Sequence, residues 1–154
     1  MIAMSFVGTR NVAGETGQRM VYYIIRHGGG KPPTSYCAFF VTYCIDSAKV
    51  KTPTVRTGLA ECFITKTSIP AKDVTIGKYN PKPGTIIVWK DGETIHGHTG
   101  FVWEWYRNSG STIEGNSTGG PTGHKANGIW FHGCEIIQPL NYFRIVYFTP
   151  VGYK

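Results

Sequence analysis

The hydrophobic period of this chain changes once, at the breaker cluster Asn80-Pro81-Lys82-Pro83-Gly84. Ahead of it, apolar residues recur at third and fourth positions; behind it, they alternate with polar ones. Helices followed by an antiparallel sheet is an α+β order. The spacing predicts helices over Thr16 to His27 (Met20, Tyr23, Ile24 and His27 in step), Cys37 to about Lys49, and Thr57 to Lys66. Residues 1–13 read as an irregular lead-in and 67–84 as loop. Strands are expected over Thr85–Trp89, Thr99–Trp105, Thr112–Gly115, Ile129–His132, Glu135–Gln138 and Arg144–Phe148. Asp91-Gly92 reads as a turn and Gly119 to Asn127 as a glycine-rich loop. Twenty glycines and nine prolines suit such short strands and turns better than a helical bundle.

The second helix carries the chemistry. It follows Pro32-Pro33 and two capping residues, Thr34 and Ser35, and buries a face of Phe40, Val41, Cys44, Ile45 and Ala48. Cys37 falls in its opening turn, among unsatisfied backbone N–H groups and the positive end of the helix dipole, both of which favour thiolate. Cys44, one heptad on, reads as an ordinary buried thiol.

A chain of 154 residues is read as one domain, 1–154, with a core that needs no staples. A net charge of +7 suits an anionic partner: nucleic acid, an acidic membrane or an acidic wall polymer. The basic residues are scattered rather than clustered, which argues against nucleic acid. Cys37 and Cys44 lie about 10 Å apart along a helix, too far to bridge, and Cys62 and Cys134 meet only if the fold joins them, so reduced thiols are expected. Neither a signal peptide nor a membrane-spanning run is read, so the expectation is synthesis in the cytoplasm and work in the periplasm or wall after export or lysis.

His98 opens the strand His98-Thr99-Gly100-Phe101-Val102-Trp103, in which His98, Gly100 and Val102 share a face. Gly100 leaves room there for close approach, with the thiol-bearing helix end as the natural neighbour. One strand later, Glu114 and Asn116 share a face, and either can accept the second imidazole N–H. His96, His98, His124, His132 and Cys134 invite a zinc reading, but their spacings fit no usual zinc pattern, so no metal and no cofactor is expected. Among the tryptophans, Trp89 and Trp103 read as core, Trp105 and Trp130 as groove residues near strand ends.

Taken in order, these segments resemble the CHAP family of cysteine peptidases and amidases, relatives of NlpC/P60 in the papain-like clan. Tyr36-Cys37-Ala38-Phe39-Phe40-Val41 resembles the family's nucleophile helix, and Pro81 to Trp89 its "PKPGDIVVF" strand. Gly97-His98-Thr99-Gly100-Phe101-Val102 resembles its "GHVGFV" segment, and Ile113-Glu114-Gly115-Asn116-Ser117 its "EGN" segment. The likeness covers about residues 14–118. It implies a papain-like fold with N-terminal helices packed on an antiparallel sheet, and cleavage of an amide bond in peptidoglycan through a thioester. Cys37 would be the nucleophile, His98 the base and later acid, Glu114 the imidazole orienter and Asn116 its assistant. Tyr36 stands where many members have an oxyanion-binding Gln. The partner implied is peptidoglycan, with an immunity protein added if the chain is a secreted effector rather than a phage lysin. Two other readings are a non-catalytic wall- or partner-binding module and a zinc-dependent hydrolase.

Overall fold

The computed structural model describes residues 2–50, 57–91, 97–119, 124–136 and 144–152. Its elements run α1 (Thr16–His27), α2 (Cys37–Ala48), β1 (Ile69–Pro70), α3 (Ala71–Thr75), β2 (Ile86–Asp91), β3 (Gly97–Tyr106), β4 (Ser109–Gly119), β5 (His124–Glu135) and β6 (Arg144–Thr149). The strands form one sheet in the order β1-β6-β2-β3-β4-β5, every pairing antiparallel. The α+β order read from the period change is the observed one.

Strict alternation in β2 divides its side chains between two cores. Ile86 and Val88 join Phe101, Ile113 and Ile129 against α1 and α2, while Ile87 and Trp89 join Val102, Trp105, Val146 and Phe148 against Val74 of α3. In α2 the first turns are buried all round, from Cys37 through Thr42, and Ala48 is exposed; α2 is the central helix of the first core. In α1 the buried stripe is Val21, Ile24 and Ile25, one step round from the spacing expected, and Tyr23 faces solvent. His27 Nε2 meets Asp46 Oδ2 at 2.8 Å and ties α1 to α2.

Several expectations are corrected. Thr57 to Lys66 holds a single 3-10 turn, Ala60–Phe63, in place of a helix. Hydroxyls there bond to nearby backbone instead: Thr57 Oγ1 accepts from Leu59 N at 2.9 Å and Ser68 Oγ from Thr65 N at 2.7 Å. The stretch 67–84 contains β1 and α3, too short to show a period. Within the glycine-rich stretch, residues 124–127 belong to β5, which continues to Glu135 as one strand; Gly92 and residues 137–138 lie outside the described residues. The lead-in includes a 3-10 turn, Ala3–Phe6, and Arg10 bridges to Gly128.

Candidate active site

The start of α2 is open. Its N-cap position is Tyr36, and no side chain caps it; Thr34 and Ser35 stand exposed on the rim instead. A helix start without a cap keeps first-turn N–H donors for whatever enters beside Cys37. A groove of about 480 Å³ lies there, bounded by Lys31, Thr34, Ser35, Cys37, Phe39, Leu59, His98 and Asn116 among others. Glycines bring its walls together: a Cβ on Gly28 would sit 2.3 Å from the Phe39 ring, and one on Gly30 2.6 Å from it. No acidic side chain lines this groove among the described residues.

His98 is held by a ring on one side and a carboxylate on another. Its ring stacks on Trp89, centroids 5.5 Å apart and planes 26° apart. Its Nε2 meets Glu114 Oε1 at 2.7 Å. Cys37 lines the same groove as His98; with Nε2 engaged by the carboxylate, Nδ1 is the nitrogen left to serve sulfur. Burial works against imidazolium, but the interactions with Cys37 and Glu114 outweigh it and push the pKa up to about 9.

Behind the imidazole, Glu114 is 9% exposed. Burial raises a carboxyl pKa, yet the hydrogen bond and charge of His98, then the Thr112 hydroxyl on Oε2, then His132, hold Glu114 below the usual carboxylate range. Gly100 makes this possible in an unexpected way. A Cβ there would lie 2.6 Å from Ile113 O and 2.8 Å from Glu114 Cγ, so the space it leaves is filled by β4 and the carboxylate, not by α2. The close approach of α2 is made at Gly115, where a Cβ would sit 2.9 Å from Phe40 Cβ.

Glu114 and Asn116 part company. The β4–β5 register shifts between Glu114 and Ser117, and Asn116 takes φ 55° in that irregularity. The strand-face argument fails there, because a bulge turns the following side chain. Glu114 reaches His98; Asn116 lines the groove and accepts from Asn127 Nδ2 at 3.0 Å.

The three aromatic candidates lie elsewhere. Tyr36 is fully buried and donates its hydroxyl to Asn127 Oδ1 at 2.7 Å, outside the groove lining; burial raises its pKa. Trp105 and Trp130 are each 6% exposed and line no part of the groove. Trp105 packs on Phe148 in the second core and donates to Arg107 O, while Trp130 donates to Ala126 O. Asn127, in a stretch whose sequence pattern is that of a loop, lies on β5. Cys44 is buried, which drives its pKa up, and all four cysteines are free. Among the described residues no three metal-ligating side chains gather; His96 and the side chain of His124 lie outside them, and His132 Nε2 meets Ser117 Oγ at 3.0 Å.

A thiol at an open helix start, a hydrogen-bonded imidazole and a buried carboxylate behind it are the parts of a thiol-dependent hydrolase. Residues 27–116, more than half of the chain, match the family model described as CHAP domain, and the chain belongs to the CHAP domain family. CHAP domains are cysteine amidase domains of the papain-like clan that hydrolyse peptidoglycan. No curated protein and no solved structure matches the chain.

Proposed function

We propose that this protein is a cysteine amidase or endopeptidase that cleaves an amide bond of peptidoglycan, in the stem peptide, the cross-bridge or the sugar–peptide link. The observation that carries the reading is that Cys37 and His98 line one groove at the open end of α2, with Glu114 bonded to His98. Sulfur attacks the carbonyl carbon as thiolate, and the oxygen takes up the negative charge beside the backbone N–H of Cys37. Imidazolium gives its proton to the leaving amine, the C–N bond breaks and a thioester remains. Water then loses a proton to the imidazole, attacks the thioester and releases the acid and the thiolate. Glu114 supports the positive charge on His98 throughout.

The reading takes 1–154 as one catalytic domain acting in the wall or periplasm after lysis or export, as a phage lysin or a secreted antibacterial effector. For an effector, an immunity protein would cover the groove. Purified peptidoglycan provides the test. The wild type should release fragments whose masses identify the severed bond, and Cys37→Ala should release none while staying folded. Iodoacetamide should abolish release and EDTA should not; the reverse pattern would sink the thiol mechanism.

A further inference from the structure

We infer that Asn127, on β5, is a positioning residue that aims the side-chain amide of Asn116 into the groove. The inference rests on the proposed thiol chemistry, and it starts from the hydrogen bonds of the Asn127 amide. An amide has one accepting end and one donating end. Oδ1 of Asn127 takes both the Tyr36 hydroxyl and, at 3.5 Å, Asn11 Nδ2. The bulge between Glu114 and Ser117 leaves Asn116 paired with no residue of β5 in the ladder.

The remaining directions follow. Tyr36 donates its hydroxyl proton to Asn127 Oδ1, at 2.7 Å. With Oδ1 so engaged, Asn127 presents Nδ2 to Asn116, and the partner atom at 3.0 Å is Oδ1. An amide whose oxygen is engaged has its nitrogen at the other end. Asn116 Nδ2, without a partner among the described residues, is therefore what this groove-lining side chain offers to a substrate carbonyl or its oxyanion.

Asn127 is itself anchored. Its carbonyl accepts from Asn11 N at 2.8 Å, and the carbonyl of Ala126 accepts from Trp130 Nε1 at 3.0 Å. One side chain thus links Tyr36, the N-cap position of α2, to the groove-lining residue of β4.

The test is Asn127→Asp. A carboxylate still accepts from Tyr36 but cannot donate, so Asn116 must turn its amide over and face the groove with oxygen. On peptidoglycan, kcat should fall roughly tenfold with KM unchanged, and the rate of Cys37 alkylation should stay at the wild-type value. In an Asn116→Ala background the same change should cost nothing further, because the amide it misdirects is gone. Losses that add, or an unchanged kcat, would overturn the inference. A readout independent of turnover uses 15N-asparagine labelling in Cys37→Ala: the Asn116 side-chain amide signal, assigned by its loss in Asn116→Ala, should move in Asn127→Asp. If that variant does not fold, Tyr36→Phe, which removes only the hydroxyl, should move the amide signals of both asparagines. Signals that stay put refute the network, whereas a wild type that releases nothing from peptidoglycan refutes the proposed substrate and leaves the amide signals to decide.

Discussion

Glu114 keeps its charge where burial opposes it, and its partners define what each atom is for. One oxygen faces His98 and the other takes the Thr112 hydroxyl, so neither is left over for substrate. Glu114→Gln should therefore lower turnover without changing KM, by roughly tenfold or more, equivalent to at least about 1.4 kcal/mol in the barrier. Losing the negative charge also lowers the His98 pKa, so the limb of the pH–rate profile governed by imidazolium should shift toward acid; an unmoved profile would take Glu114 out of the mechanism. Stability carries a matching signature. The folded protein binds the His98 proton more tightly than the unfolded chain does, with a pKa of about 9 against an ordinary value of about 6.5. That contribution is complete below about pH 6.5 and disappears as pH rises through about 9. Glu114, shifted down, contributes above the ordinary carboxylate range and loses its contribution as pH falls through its lowered pKa. Thermal melts from pH 6 to 10 should show Tm declining more steeply in the wild type than in His98→Ala. The two cysteines of α2 should separate in the same spirit: Cys37→Ala removes hydrolysis and keeps the fold, while Cys44→Ala keeps the mechanism and costs roughly 1–2 kcal/mol in denaturant melts.

At the level of elements, α2 and β4 meet at one glycine. A methyl on Gly115 would press on Phe40 Cβ and cannot be relieved by a flexible side chain, so Gly115→Ala should destabilise by about 1–3 kcal/mol in urea titrations and slow hydrolysis through the displaced bulge. The same junction explains what could and could not be read ahead of the structure. Cys37 was legible because its helix start is marked by prolines, and His98 because it opens an alternating strand. Both signals are local. The division of work between Glu114 and Asn116 came from the family likeness and not from the strand pattern, since it depends on a register shift in β4 against β5. Asn127 was hidden for a similar reason: its partner Tyr36 is 91 residues away, and its neighbours look like loop. Trp105 and Trp130 look like strand-end residues because the local pattern understates β3 and β5; both lie inside strands, and Trp105 packs in a second core that α3 helps to close.

The molecule as a whole carries +7, and its groove shows Lys31 without an acidic side chain among the described lining residues. Attraction to an anionic wall of this kind is screened beyond about 10 Å at 0.1 M salt. Hydrolysis of intact walls should weaken with ionic strength, while cleavage of a small soluble muropeptide should change far less; equal sensitivity of the two would show that the charge serves something other than capture. The strand order has a consequence in time. The last of the described strands, β6, lies between β1 and β2 in the sheet. Thr149 is bonded to Ser68 and to Phe63, residues 81 and 86 positions earlier. A ribosome that has already released Cys37, His98 and Glu114 is thus still holding back the strand that fills the gap beside β2. Contacts of such sequence separation form late, so a chain interrupted before Arg144 would carry Cys37, His98 and Glu114 without the strand that flanks β2, whose Trp89 stacks on His98.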